Sequence, residues 1–256
     1  MLNHKVTFKK AMFAVACAGL SVSSYAAPLH ILDFKKTQFS QTQKNTLCTQ
    51  VKTLCDQQGQ LQSLKTPDQH VWVLADKTIA EFDVVAKELK LLKYWQIKLS
   101  PTEETMASKP YIFPRLFPMQ ANRYAVAMID TTTEMYSGGG ANIERASFYE
   151  LEADGHTRQF IQDYPFNFYR MIRACFSEED YNSSKGQCHD EDWLNVDIRP
   201  IKPMVWQFKY RYHLQVSPVS DSGQKSIKGS KILKIDLNHV PKRPNIPEQW
   251  DYEGMN

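Results

Sequence analysis

The sequence predicts a mainly β fold, an antiparallel meander that forms a sandwich or barrel-like domain, with one helix near residues 78–92 and two disulfides. From about residue 111 onward, short runs alternate apolar and polar residues, which is the pattern of strands with one buried face. Turn-forming residues separate most of these runs, and Asp154-Gly155 between two alternating runs is typical of a hairpin. Successive hairpins pair neighbouring strands antiparallel, which gives a meander.

Seven strands are expected in this region. They cover residues 124–131, 146–152, 157–162, 168–175, 194–198, 206–216 and 231–237. The alternation is clearest in the aromatic run 206–212, where one face would carry Trp206, Phe208, Tyr210 and Tyr212, and the other Gln207, Lys209 and Arg211. Core packing is the expected role of these aromatic residues, and a sugar- or peptide-binding surface is the alternative.

The helix is predicted before these strands because apolar residues recur along one helical face of residues 78–92. Thr78 followed by Glu81 fits a capping box at its start. Strand patterns flank it at residues 71–74 and 94–100. The residues of the apolar face are Ile79, Phe82, Val85, Ala86, Leu89 and Leu92.

Residues 1–26 have the layout of a cleavable secretory signal peptide. Three lysines precede an apolar run at residues 11–20, which is shorter than the roughly 20 residues that cross a membrane. Ser24 and Ala26 then supply the two small residues expected before a cut after Ala26. Lipidation at Cys17 is an alternative. The lysine head and alanine-rich run are typical of bacteria, so we expect a periplasmic protein.

Removal of the signal changes the charge of the chain. The whole sequence has 31 basic and 28 acidic residues, and three of the lysines lie in residues 1–26, so the remainder is balanced. We therefore do not expect a broad basic surface that binds nucleic acid, although the balanced total does not exclude local basic patches. No second apolar stretch approaches membrane-spanning length, so no membrane span is expected.

Residues 27–240 are expected to form a single mainly β domain, with a polar N-terminal segment at residues 27–69. Residues 241–256 are expected to form an extended tail, with Trp250 and Tyr252 as candidates to hold it against the domain.

Four cysteines remain after the signal is removed, and in an exported chain they predict two disulfides. Proximity favours Cys48 with Cys55 and Cys175 with Cys188. An intact helix across residues 48–55 would place its ends roughly 10.5 Å apart, whereas a disulfide allows Cα atoms only about 7 Å apart. The segment is therefore either a turn closed by the bond, or these cysteines pair elsewhere. We favour the turn.

The densest set of ionisable residues follows Cys188 and consists of His189, Asp190, Glu191 and Asp192, with Trp193 next to them. Imidazole and carboxylate groups can hold a divalent metal, which makes His189, Asp190 and Glu191 candidate ligands. A strand would send these neighbours to opposite faces, so only a tight loop could bring them together. The alternatives are a solvated acidic loop or a recognition loop, in either case held by the disulfide. No other cofactor is expected.

Two further features suggest contact with a protein. Phe113 and Phe117 lie between prolines in an aromatic loop and fit the anchor residues of an interface. The glycines at residues 138–140 fit a hairpin tip that another backbone can approach closely.

The expected function is that of a non-catalytic periplasmic binding protein, an inhibitor or immunity-type partner of another envelope or secreted protein. The chain lacks the Gly-x-Ser-x-Gly motif of a nucleophile elbow. One alternative is a metal-assisted hydrolase of envelope material, with His189, Asp190 and Glu191 as ligands or base. Another is a structural component of the envelope.

Overall fold

The computed structural model describes residues 29–55, 61–98 and 110–251, which form two antiparallel β-sheets and one main helix. The predicted mainly β class with antiparallel pairing and two disulfides is confirmed, and the large sheet is not a closed barrel. The predicted signal peptide, Cys17 and Tyr252 lie outside the described residues.

The elements follow one another along the chain. In order they are β1 (Leu32–Asp33), β2 (Lys35–Lys36), α1 (Gln41–Gln50), a 3-10 turn (Lys52–Leu54), β3 (Gln62–Lys65), β4 (Val71–Ala75), β5 (Thr78–Val85), β6 (Glu88–Gln96), β7 (Tyr111–Ile112), β8 (Arg115–Gln120), β9 (Arg123–Tyr136), β10 (Gly139–Leu151), β11 (Thr157–Arg173), α2 (Glu178–Ser183), β12 (His189–Lys202), β13 (Val205–Gln215), β14 (Ile227–Asp236) and a second 3-10 turn (Glu248–Trp250).

A small sheet has the strand order β2-β3-β4-β5-β6. A large sheet has the order β1-β8-β9-β10-β11-β12-β13-β14, with β7 also paired to β9. Most neighbours in both sheets are consecutive in the chain, so the predicted meander is the main connection.

The large sheet curls so that β8 approaches the turn between β12 and β13. The Met204 amide donates to the Met119 carbonyl oxygen at 2.7 Å, and the Trp206 indole N–H donates to the Pro118 carbonyl oxygen at 2.8 Å. A core fills the inner face of the curled sheet, and the predicted alternation in β13 is confirmed. The inner residues Trp206, Phe208, Tyr210 and Tyr212 are buried.

The C-terminal tail covers part of this inner face, as expected for Trp250. The Trp250 ring is buried and stacks on Tyr212 with ring centroids 5.6 Å apart. Gly229 lies under the same ring, where a Cβ atom would come within 2.3 Å of the indole. Arg145 and Asp251 form an ion pair at 2.7 Å. The tail is therefore held to the sheet at several points.

Each face of the small sheet packs against another part of the protein, which produces three layers. On one face Trp72, Ile79 and Trp95 pack against large-sheet residues such as Val126 and Met128. On the other face the apolar side of α1 and the turn after it cover the sheet. The residues of that second contact are Leu47, Val51 and Leu54 against Val73, Ala80, Phe82 and Leu89.

The predicted helix at residues 78–92 is wrong, because this segment forms the hairpin of β5 and β6. Ile79 packs toward the large sheet and Phe82 toward α1, so residues three apart lie on opposite faces of a strand and are both buried. A strand covered on both faces loses its simple alternation. The turn is made by Ala86 and Lys87, both with positive φ (51° and 72°), which the sequence does not signal.

Other strand predictions are largely confirmed. The expected strand at residues 157–162 and most of the one at 168–175 belong to the single strand β11, which ends at Arg173 and contains irregularities in its pairing with β10. Asp154 and Gly155 do form the turn between β10 and β11.

Both favoured disulfides are present. Helix α1 starts at the N-cap Ser40 in a capping box with Gln43, and it ends at Gln50. Because the helix stops there, Cys48 and Cys55 come within 5.5 Å at their Cα atoms and bond. The Cys175–Cys188 bond closes the loop that contains α2.

The edge strand β6 is bridged by a side chain from α1. The Gln50 amide N–H donates to the Leu89 carbonyl oxygen at 2.7 Å, and its Oε1 accepts from the Leu91 amide at 2.6 Å. A further strand that paired with β6 would form its hydrogen bonds to these same two backbone groups.

Within residues 29–55, 61–98 and 110–251, none of the helices has the length and apolar character needed to cross a membrane.

Candidate binding surface

The predicted cluster after Cys188 lies on β12, so its residues alternate between two faces. Asp190 and Asp192 point to the inner face and are buried. His189, Glu191 and Trp193 point to the opposite face, called here the outer face, and are partly exposed. The strand therefore separates the residues that a metal site would have to bring together.

Asp192 is held in a buried ion pair. Arg170 on β11 donates to both carboxylate oxygens, from Nε at 2.9 Å and from Nη2 at 3.0 Å, and the Tyr212 hydroxyl donates at 3.2 Å. Burial and the Asp192 charge raise the pKa of the Tyr212 hydroxyl, which keeps it protonated as a donor. The carboxylate of Asp192 is thus occupied by structural contacts.

Asp190 ties β12 to the segment after β13. Its Oδ1 accepts from the Ser217 amide at 2.7 Å, and its Oδ2 accepts from the Ser220 hydroxyl at 2.5 Å. Among the residues with described positions, no three His, Cys, Asp or Glu side chains are arranged to hold a metal. His189, Asp190 and Glu191 do not converge, so the geometry gives the metal-ligand hypothesis no support.

The outer face carries a row of aromatic side chains across three strands. Tyr169 on β11 is in register with Trp193 on β12, which is in register with His213 on β13. The Trp193 and His213 rings meet edge to face, with centroids 4.2 Å apart. Burial and the neighbouring Glu191 raise the pKa of the Tyr169 hydroxyl. Burial and Lys228 lower the pKa of His213, which favours its neutral form.

Basic residues border this row on β13 and β14. Lys209 and Arg211 occupy the same face of β13 as His213, as the sequence predicted, and Lys228 is the register partner of His213 on β14. Ile232 lies opposite Lys209 and is 53% exposed. The outer face thus combines aromatic, aliphatic and basic groups.

The outer face continues to the tip of the β9–β10 hairpin and the disulfide loop. Met135 at the tip is 82% exposed, and Phe176 in the loop is 74% exposed. Arg173 connects them, because its amide donates to the Gly138 carbonyl oxygen at 2.6 Å and its guanidinium covers the Phe176 ring at 5.4 Å. The hairpin tip and the disulfide loop, which the sequence suggests as segments that contact a partner, are therefore neighbours in the structure.

Gly139 allows the close approach of strands at this tip. A Cβ atom there would lie 2.0 Å from the Met171 carbonyl oxygen and 2.6 Å from the Tyr136 ring. The Tyr136 hydroxyl donates to the same carbonyl oxygen at 3.1 Å, so the ring covers the glycine.

The two loop phenylalanines occupy different environments. Phe117 is 1% exposed and packs against Phe148 and Trp206, so its side chain belongs to the core and not to the surface. Phe113 is partly buried, meets Phe166 edge to face at 5.0 Å, and lies under the Arg115 guanidinium at 5.2 Å. Only Phe113 retains any accessible surface for contact.

Sequence reasoning selected Trp193 but missed Tyr169 and His213, its neighbours in space. Each of these two residues lies on a strand whose alternating apolar and polar pattern the sequence predicts, so the sheet face that it occupies can be predicted. Their adjacency depends on the register between strands, which no local pattern provides.

No protein-family model, curated protein or solved structure matches the chain.

Proposed function

We propose that this is a non-catalytic binding protein of the bacterial periplasm, and that its outer face binds a protein partner, as an inhibitor or immunity-type protein would. The observation that carries the proposal is the register of Tyr169, Trp193 and His213 across three strands, where Tyr169 is 40% exposed and the other two side chains are partly exposed. Two disulfides suggest an oxidising compartment outside the cytoplasm, and the leader-like residues 1–26 support export.

The chemistry of this row suits protein recognition. Aromatic and arginine side chains supply much of the binding energy in protein interfaces. Tyrosine and tryptophan do so because they bury large areas with only two rotatable side-chain bonds. Trp193 is already packed against His213, so little further ordering is needed on binding. The basic border and the exposed side chains at the hairpin tip extend the same surface.

The hydrolase alternative has less support. Its proposed ligands lie on both faces of β12, and Asp190 is occupied by Ser217 and Ser220.

Affinity capture from periplasmic extract tests the proposal. We expect the wild-type protein to retain one partner in roughly stoichiometric amount, and a double variant Tyr169→Ala/Trp193→Ala to lose it by at least about tenfold, since interface aromatic residues contribute about 2 kcal/mol or more each. Tyr94→Ala is the matched control, because Tyr94 is an exposed aromatic residue on the small sheet. Absence of any partner, or equal capture by the double variant, would contradict the proposal.

A further inference from the structure

A cleft of about 830 Å³ lies between the small sheet and the large sheet, apart from the outer face. Its walls come from β4, β5 and β6 on one side and from the β8–β9 turn, β9 and the end of β10 on the other. This volume is within the range of about 300–1,000 Å³ found for small-molecule sites.

Aromatic residues lie along one wall of the cleft, where Trp72 and Trp95 are each 3% exposed and Tyr124 is partly exposed. Trp72 and Trp95 stack with centroids 5.2 Å apart, and Tyr124 meets Trp72 edge to face at 5.6 Å. The Trp95 indole N–H donates to the Glu152 carbonyl oxygen at 2.8 Å. The buried Trp72 indole N–H has no acceptor in the described structure, which is costly for a buried donor.

The carboxylates deepest in the cleft are already paired. His70 Nδ1 lies 2.7 Å from Glu81, and this hydrogen bond raises the pKa of His70. Arg123 Nε donates to Glu150 at 2.8 Å, and Arg158 contacts the other oxygen of Glu150. A ligand cation would have to displace these partners, and a ligand anion would meet the carboxylates.

Polar groups that can serve a ligand remain around this paired centre. The side chains of Lys93, Asn122 and Tyr124 line the cleft and make no hydrogen bond or ion pair to any part of the chain that is described. They come from three different segments, β6, the β8–β9 turn and β9. Asp68 and Asp154 at the rim supply acceptor oxygens. The site therefore offers donors and acceptors together beside an apolar wall.

We propose that this inter-sheet cleft binds a neutral saccharide. Each sugar hydroxyl both donates and accepts, which matches the mixed polar groups, and the apolar C–H face of a sugar ring suits contact with the partly exposed Tyr124 ring. The site is independent of the protein-binding face, and either can fail without the other.

Titration of the full mature chain with neutral tetrasaccharides (cello-, malto-, manno- and N-acetylated chitotetraose) tests this proposal. Calorimetry should give a dissociation constant at or below about 1 mM for at least one of them. Tryptophan fluorescence should change in parallel, because Trp72 and Trp95 lie at the site. The double variant Lys93→Ala/Asn122→Gly should weaken binding by at least about tenfold, the loss of roughly one hydrogen bond from each side chain.

The variants are chosen to preserve the fold. Lys93 and Asn122 are exposed, and glycine accommodates the positive φ of 57° at residue 122. Lys90→Ala is the control, since Lys90 is exposed on the same strand but does not line the cleft. Lack of binding by every tetrasaccharide at about 5 mM, or binding that the double variant retains, would overturn the proposal.

Discussion

The two faces of β12 contain similar residues in very different environments. On the inner face, Asp190 and Asp192 are buried and each accepts hydrogen bonds from neighbouring segments. On the outer face, Glu191 and Trp193 remain partly open to solvent. Adjacent acidic residues therefore differ in role because the strand turns alternate side chains in opposite directions. Chemical type alone does not identify which carboxylates are available to a partner.

The largest expected contrast is between Asp192 and its outer neighbour. Asp192→Ala should lower the free energy of unfolding by about 3–5 kcal/mol, because it leaves the Arg170 guanidinium unpaired in a largely buried position. Glu191→Ala should change it by no more than about 0.5 kcal/mol. Chemical denaturation of both variants measures the difference, and similar losses would show that the two faces are not distinct.

A smaller effect is expected at Asp190, which makes hydrogen bonds but no ion pair among its described contacts. Asp190→Ala should destabilise the fold by about 1–3 kcal/mol, because the buried Ser217 amide loses its acceptor. Ser220→Ala, which removes only the second contact, should cost less. Denaturation curves that rank Ser220→Ala as the more harmful variant would contradict the inner-face assignment.

The smallest expected effect is the pH dependence of stability that comes from His213 on the outer face and His70 in the inter-sheet cleft. The pKa of His213 is below its ordinary value of 6.5, so the unfolded chain takes up this proton first and stability falls as the pH drops below about 6.5. The pKa of His70 is raised, so its contribution is present at low pH and is lost as the pH rises through the folded-state value.

These two histidines give a test with opposite signs. His213→Gln should reduce the loss of thermal stability between about pH 7 and about pH 5, whereas His70→Gln should increase it. Melting temperatures across this range measure both changes. Curves that shift in the same direction would contradict the assigned environments.

The fold could be predicted where one face of a strand meets solvent. The alternation in residues 206–212 identified both faces of β13, and Asp154-Gly155 identified a hairpin. The prediction failed for residues 78–92, because β5 has buried residues on both of its faces and the turn residues Ala86 and Lys87 carry no turn signal.

The candidate surface was only partly predictable for a related reason. Trp193 could be singled out from its cluster, and the face of Lys209 and Arg211 followed from alternation. The contacts that assemble the surface join β11 to β14 through strand register. The inter-sheet cleft depends on how two sheets pack, which the sequence pattern does not report.

The bridge from Gln50 to β6 has a consequence for self-association. An open strand border offers free amides and carbonyls that can recruit another molecule and start fibrous aggregates. In this protein the side-chain amide of Gln50 makes the two hydrogen bonds to β6 that a backbone peptide group of an added strand would make. We therefore expect Gln50 to hinder the addition of another copy at this part of β6.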